Sequence, residues 1–413
     1  MQSLWRSWFS IPFWQRVVGA FIVGAALGAL APDIGVSVKP AGDLFIKAIK
    51  MLVAPLIFCA LVSAITEMAG ARNSGRLGAK TVGLFLLTAI IASVIGLTLG
   101  TLLLSPPAAP LQAAADFVPK QIPALSEVFL NLIPSNPFAA LAEGNVLQIV
   151  VFAVLVGVAI NAVGSPAQGL KQALQGGAQV MYRMTKLVLE LTPLGVFGLM
   201  AWVVGSYGLD SLLPLASFVG VIYLACLIHI IVVYGFFVYR FGGISPWQFF
   251  KAVFSAQVVA YTTCSSFGSL PVAHQTVTQK LGVSERYASF VLPLGSTINM
   301  DGCGGIYPAV AAIFIAHLYG IDLSVGQYLL ITATATLASI GTAGVPGTAM
   351  VMLTVTLNAV GLPLEGIAFI AAIDRIIDMM RTATNVTGDM MVALVVGRSE
   401  GEVDEARLQQ GIA

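Results

Sequence analysis

Residues 374–396 read DRIIDMMRTATNVTGDMMVALVV. The stretch is apolar in overall character, yet Asp374, Asp378, Arg381, Asn385 and Asp389 lie inside it. An ionised side chain at the centre of a bilayer costs roughly 2.5–3.5 kcal/mol on insertion scales. Three carboxylates and Arg381 within sixteen positions are therefore prohibitive on a lipid-facing surface. At about 100° per residue, positions 374, 378, 381, 382, 385 and 389 fall within a sector of about 100°. One helix face carries acid, base, hydroxyl and amide together. Such a face has to look into a polar interior, and intramembrane charges of this kind mark an ion or substrate path.

The rest of the chain supplies the membrane. Of 413 residues, 58% are hydrophobic and 9% charged, whereas ordinary soluble domains are about 25% charged. Stretches 81–115, 211–239, 302–321 and 323–364 contain no Asp, Glu, Lys or Arg, and spanning a bilayer takes roughly 20 residues. The composition specifies an all-α polytopic membrane protein. The net charge of +1 shows no nucleic-acid footprint. Cys59, Cys226, Cys264 and Cys303 lie in apolar or motif segments without CxxC spacing, which argues against a disulfide framework or a zinc site. The start, MQSLWRSWFSIPFWQRVVGAF, has no A-x-A-like cleavage site after a clean apolar core. Arg6 and Arg16 then read as cytoplasmic flanks of a retained first helix.

Helix 1 is expected at 13–31, ended by Pro32-Asp33, and helix 2 at 41–70 with Lys47 and Lys50 near the interface. The loop ARNSGRLGAK, with Arg72, Arg76 and Lys80, reads as cytoplasmic by the positive-inside rule. Helix 3 follows at 79–105. A Pro/Ala-rich loop at 106–125, with Asp116 and Lys120, reads as external. Helix 4 covers 128–163, broken by Pro134 and Pro137; helix 5 covers 168–207, interrupted at Pro193; helix 6 covers 211–241. The tail at 399–413 is polar and reads as cytoplasmic, which places both termini on that side.

Beyond 245 the pattern changes. Segments 246–281 and 323–360 are apolar but carry TTCSSFGSLP and SIGTAGVPGTA at their middles. Each reads as helix, irregular tip, helix. Irregular backbone at membrane depth survives only where it is buried in protein or lines a watery cavity. Two such interrupted segments in matching positions point to a transporter binding site between inverted repeats. The alternative is close helix packing through small residues. Between the two segments lies a helix at 284–319, broken at NMDG.

At SSFGSLP (265–271), NMDG (299–302), SIGTAGVPG (339–347) and DMMRTATNVTGD (378–389) the chain resembles the dicarboxylate/amino acid:cation symporters, the glutamate-transporter homologues. LIPSNPFAALAEGNVL (132–147) also resembles the fourth-helix region of that family. The resemblance implies eight transmembrane helices, two re-entrant hairpins, inverted repeats, an elevator mechanism and a homotrimer in the membrane lipid of a bacterial inner membrane. Residues 1–78 (helices 1–2) and 106–209 (a loop and helices 4–5) would form the trimerisation scaffold. Helix 3 (79–105) and residues 210–398 would form the transport domain. The latter comprises helix 6, hairpin 1 at 245–282, helix 7 at 284–319, hairpin 2 at 323–360 and helix 8 at 362–398.

The resemblance also implies roles. Arg381 would grip the side-chain carboxylate of an acidic substrate, because a guanidinium fork matches a carboxylate; its alternative is an intrahelical ion pair with Asp374 or Asp378. Asp378 would take the substrate amino group, favouring an α-amino acid over a plain dicarboxylate; its alternative is a counter-ion to Arg381. Thr382, Asn385, Ser265, Ser266 and Thr297, with backbone N–H groups from Ser266 and from Val345 to Gly347, would complete the substrate site. Na⁺ would be co-transported at three sites, with H⁺ as the alternative coupling ion. One site joins Asp389 to carbonyls near Gly295, Asn299 and Asn385. A second joins Thr297 and Met300 to Ser339, Ile340 and Thr342. A third joins Asn299, Asp301 and Thr88.

Several positions depart from the family pattern. Phe85 stands where Tyr is frequent and Ala89 where Ser or Thr is frequent, which weakens the third cation site. Cys303 follows NMDG in place of Thr. Cys264 stands before the tip serines where many prokaryotic members have Arg, and Met379 where others have it. Arg375, one turn before Met379, is then a candidate for that cationic role near hairpin 1, or an interfacial Arg. Phe267 replaces a small tip residue. His229, His274 and His317 are scattered and read as packed or interface residues, with His274 also able to titrate. Ser265, Ser266 and His274 could instead mark an intramembrane enzyme, but neither of these serines sits in a G-x-S-x-G elbow, and no charged or carbonyl filter signature favours a channel.

Overall fold

The computed structural model describes residues 11, 13–68, 75–106, 133–209, 214–342, 344 and 347–412. The expectations for Arg6, Arg72, Asp116, Lys120 and Val345 lie outside them, as do most of the loop at 106–125 and the start of helix 4. Among the described residues the chain is helical, with one isolated antiparallel bridge between Val283 and Val403.

The first half holds α1 (Phe13–Leu30), α2 (Pro32–Ser37), α3 (Lys39–Met68), α4 (Gly75–Leu103), α5 (Pro137–Glu143), α6 (Val146–Val163), α7 (Gln168–Leu189) and α8 (Thr192–Tyr207). The break expected in helix 4 at Pro134 and Pro137 falls instead at Gly144-Asn145, because Pro137 starts a helix and Gly144 ends it. Pro32 starts α2. Asn136 caps α5 by accepting from the amides of Phe138 and Ala139, with Pro137 in the first turn, and Gly144 ends α5 in the left-handed region. Pro193 lies in the first turn of α8, so the expected interruption is a helix start. α1 packs on α8, and α3 packs on α6, α7 and α8.

The second half holds α9 (Pro214–Ile228), which continues through π turns at His229–Tyr234 and Val238–Gly242. Next come α10 (Pro246–Thr263), α11 (Ser266–Gln279), α12 (Glu285–Ile298), a π turn at Asp301–Ile306, α13 (Tyr307–Leu318), α14 (Val325–Gly341) and α15 (Thr348–Val360). The long α16 (Ile367–Ser399) and the short α17 (Glu405–Ile412) complete the chain. Serine caps set the starts. Ser245 and Ser324 form capping boxes with Gln248 and Gln327, and Ser284 accepts from the Tyr287 amide. Both interrupted segments fold as helix, tip, helix: α10 packs on α11, and α14 on α15.

Among the described residues three runs are long and apolar enough to cross a membrane, Arg76–Leu103, Pro214–Gly242 and Glu285–Leu318, and the apolar window of the last is wholly buried inside the protein. Helix α16 packs against α9 to α12 and the Asp301–Ile306 turn, so the charged helix is enclosed on several sides.

The polar tail is tied to the rest of the chain. The Ser284 amide donates to the Glu402 carbonyl (2.7 Å) and the Asp404 amide to the Gly282 carbonyl (2.8 Å). Glu402 also accepts from Ser284 Oγ and Arg286, while Glu400 accepts from Lys80 and pairs with Arg76. The Ser284 hydroxyl, then Arg286, holds the Glu402 carboxyl below the usual glutamate range; the Lys80 hydrogen bond, then Arg76, does the same for Glu400.

Candidate substrate and cation site

The unwound centre of the molecule is a place where four elements meet. The tip between α10 and α11 turns at Cys264, the one non-glycine residue with positive φ (52°) among the described residues. Ser265 then caps α11: its Oγ accepts from the Gly268 amide (3.0 Å) and donates to the Gly344 carbonyl (3.0 Å) in the facing tip. The Phe267 amide donates to the same carbonyl (3.2 Å). The two tips are thus bonded to each other.

Behind them lies a small cavity lined by Cys264, Ser266, Met300, Cys303, Gly344, Gly347, Thr348, Ala349, Asp378, Thr382 and Asn385. Both hairpin tips, the broken helix and α16 therefore contribute. Of the expected substrate residues, Ser266, Gly347, Asp378, Thr382 and Asn385 line it. Thr382 Oγ1 donates to Asp378 Oδ1 (3.3 Å). Asn385 Oδ1 accepts from the Gly302 amide (2.8 Å), which ties α16 to the unwound turn.

Arg381 sits differently. It is fully buried and does not line the cavity. Its Nη2 lies 2.8 Å from Asp374 and 3.2 Å from Asp378, and its guanidinium stacks 3.9 Å from the Tyr307 ring centre. Nε and Nη1 have no hydrogen-bond partner among the described residues. Buried donors without partners are costly, so these are donors in search of an acceptor. Arg375 reaches the first hairpin: its Nη2 donates to the Thr262 carbonyl (3.2 Å), two residues before Cys264.

The cation residues group as follows. Asn299 Nδ2 donates to Asp389 Oδ1 (2.9 Å), and Gly295 packs directly against that carboxylate. Asn385 Nδ2 lies 3.1 Å from Met300 Sδ. Ser339 Oγ donates to the Ile298 carbonyl (3.0 Å), which joins the second hairpin to the unwound turn. Thr297, Thr342 and Thr88 donate to carbonyls of their own helices, Leu294, Ala338 and Phe85. Ile340 is half-buried against the core. Asp301 accepts from Tyr234 and His229 on one oxygen; its Oδ1 and the Oδ1 of Asn299 are buried with no partner among the described residues. No Lys or Arg pairs with Asp301 or Asp389 there either. A buried carboxylate demands a partner, and hard cations take oxygen ligands of this kind.

Residues that the sequence left unassigned also enter the site. His229 and Tyr234 touch Asp301, Tyr307 carries the guanidinium, and Thr348 and Ala349 line the cavity. The four cysteines are free thiols, and two of them, Cys264 and Cys303, face the cavity.

The model of the sodium:dicarboxylate symporter family matches residues 13–399. The chain is 36% identical over 412 residues to the proton/sodium-glutamate symport protein of Bacillus caldotenax, covering 97% of each. It is 36% identical over 381 residues to the proton/glutamate-aspartate symporter of Escherichia coli, covering 89% of this chain and 86% of that protein. It is 34% identical over 410 residues to C4-dicarboxylate transport protein 1 of Ralstonia nicotianae, covering 96% and 95%. With a family match of this extent, the chain belongs to the sodium:dicarboxylate symporter family, as a multi-pass membrane transporter and not an enzyme.

Proposed function

We propose that this protein is a secondary active symporter that takes up aspartate or glutamate with Na⁺. The observation that carries the substrate class is the buried Arg381, with two unpartnered donors, beside Asp378 at the cavity wall. An acidic amino acid offers a carboxylate to the guanidinium and an ammonium group to Asp378. A plain dicarboxylate has nothing for Asp378 to bind. Thr382, Asn385, Ser266 and the backbone around Gly347 hydrogen-bond the rest, with Val345 in the same tip. Relatives named for glutamate, and one named for glutamate and aspartate, support the assignment.

Coupling to Na⁺ is supported by Asp301 and Asp389, buried carboxylates whose surroundings are carbonyl, amide and hydroxyl oxygen. The proposed ligands are Asp389, Gly295, Asn299 and Asn385 for one ion; Thr297, Met300, Ser339, Ile340 and Thr342 for a second; and Asn299, Asp301 and Thr88 for a third. Proton coupling is the second reading, favoured by the names of relatives that couple to protons.

The helix, tip, helix segments 246–281 and 323–360 serve as re-entrant hairpins that open and close over the cavity. The packing of α1, α3, α6, α7 and α8 on one another supports a scaffold of residues 1–78 and 106–209. In this reading α4 and residues 210–398 move as an elevator, within a homotrimer of eight-helix protomers in the bacterial inner membrane, with both termini cytoplasmic. Arg375, held at Thr262, places a positive charge beside the first hairpin. A binding screen of amino acids and C4-dicarboxylates, each with and without Na⁺, tests the reading. Aspartate binding strengthened by Na⁺ is expected; tighter binding of succinate than of aspartate overturns the role of Asp378.

A further inference from the structure

No residue of the π turn at His229–Tyr234 lines the cavity, yet two of its side chains converge on one atom. In an α-helix, at about 100° per residue, positions five apart point about 140° away from each other. In a π turn the i→i+5 hydrogen bond brings such positions onto one face. His229 and Tyr234 are five apart, and both reach Oδ2 of Asp301: the tyrosine hydroxyl donates at 2.7 Å and His229 Nε2 lies at 3.1 Å. All three side chains are fully buried. The two rings pack edge to face with centroids 4.6 Å apart. His229 Nδ1 has no partner among the described residues. The neutral tautomer with its proton on Nε2 is the one that leaves no buried proton unshared.

The other oxygen of Asp301 is left free. Asp301 Oδ1 and Asn299 Oδ1 are buried, two residues apart on the unwound chain, with no hydrogen-bond partner among the described residues. Asn299 is itself fixed by its donation to Asp389. Helix α16 crosses here at Gly388, where a Cβ would stand 2.5 Å from the Tyr234 hydroxyl and 2.8 Å from Asn299 Nδ2. A side chain at that position would push the clamp apart. Helix α4 adds no hydroxyl at Ala89, so the orientation of the remaining oxygens carries more of the site.

We infer that His229 and Tyr234 are positioning residues: they hold Oδ2 of Asp301 and so present Oδ1, with Asn299 Oδ1, to the co-transported Na⁺. This rests on the sodium reading above. The carboxylate is offered through one oxygen, which suits a monovalent ion that must leave again in each cycle. Removing a donor lets the carboxylate rotate and weakens Na⁺ without touching the substrate.

The test uses the purified full-length protein in liposomes, as wild type, His229→Leu, His229→Gln and Tyr234→Phe. Two quantities are read: the Na⁺ concentration for half-maximal aspartate uptake, and the rise in melting temperature that NaCl gives over choline chloride. Loss of one hydrogen bond to a charged group predicts at least about a tenfold higher half-saturation in His229→Leu, with a smaller Na⁺-induced melting shift. His229→Gln, whose amide can donate from the same place, returns within about threefold of wild type. Tyr234→Phe moves in the same direction as His229→Leu. Aspartate affinity at saturating Na⁺ stays within about threefold in all of them. Wild-type Na⁺ half-saturation in His229→Leu, or no rescue by His229→Gln, overturns the clamp. If His229→Leu does not fold, Tyr234→Phe and His229→Gln decide by the same readouts. A wild type whose uptake ignores Na⁺ fails the sodium reading itself, and the clamp with it; a Na⁺-dependent wild type with unmoved variants fails the clamp alone.

Discussion

Replacing Arg381 by Met removes the guanidinium and keeps an unbranched side chain. In place, the group is fully buried, 2.8 Å from Asp374 and 3.2 Å from Asp378. At an effective dielectric constant of about 20, each such pair is worth roughly 5–6 kcal/mol before desolvation. Desolvation consumes most of that, and measured costs of stranding a buried partner are about 3–5 kcal/mol. The single variant should therefore melt well below wild type. The substrate term is separate. Nε and Nη1 are the two donors left for a ligand, and charge-assisted hydrogen bonds contribute about 1.5–3 kcal/mol each. Losing both costs about 3 kcal/mol or more, which is at least about 100-fold in aspartate affinity. A second variant, Arg381→Met with Asp374→Asn, removes one stranded charge. It should recover much of the melting temperature and none of the affinity. Aspartate binding at saturating Na⁺, measured beside thermal melts, separates the two effects. A double variant that binds aspartate within about tenfold of wild type would refute the clamp role, leaving Arg381 as a structural counter-ion.

Gly302 packs against the backbone of Arg381, where a Cβ would stand 2.5 Å from the carbonyl oxygen. Gly302→Ala should cost at least about 1–3 kcal/mol through overpacking and abolish uptake in protein that still reaches the membrane; wild-type uptake would contradict the packing argument. Ser265→Ala removes one of the two hydrogen bonds that the first hairpin tip donates to the Gly344 carbonyl, worth about 0.5–1.5 kcal/mol. The open-tip population should rise roughly 2–12-fold, read as faster alkylation of Cys264 and Cys303 in Na⁺-free buffer; an unchanged rate counts against a latch. Glu402 has a depressed carboxyl, so its stabilisation is complete above the ordinary glutamate value of about 4.3 and fades as the pH falls through its lower folded value. Glu402→Gln should lower stability at pH 7 by about 0.2–1 kcal/mol, given its partly exposed partners, and the gap should close as the pH falls below about 4. A gap independent of pH would show that the contact is not electrostatic.

The charged face of α16 was legible because polar residues at helical spacing inside an apolar run have few explanations. Asp378, Thr382 and Asn385 all line the cavity. The interrupted segments were legible too, since Ser, Gly and Pro at their middles and serines at their starts are local signals. Arg381 was harder to place. Residues seven and three positions back both offer carboxylates, and which one a flexible guanidinium takes is settled by side-chain packing against Tyr307. The Asp301 contacts were hidden for a different reason. An α-helical reading sends His229 and Tyr234 to different faces, and nothing in LIHIIVVYGFF marks the π turn that brings them together. The pairing of the tail was not legible, because its partners, Gly282 and Ser284, lie more than a hundred residues earlier, and polar composition carries no trace of such pairing.

In the proposed function a cation gradient drives an acidic amino acid through this site. Purified protein in liposomes, loaded with K⁺ and diluted into Na⁺ or choline at equal pH, tests it most directly through radiolabelled aspartate uptake. Accumulation above the external concentration is expected with inward Na⁺, with little uptake in choline, and with inhibition by excess glutamate but not by alanine. Equal accumulation in choline when an inward proton gradient is imposed would contradict sodium coupling, and accumulation of succinate but not aspartate would contradict the substrate assignment.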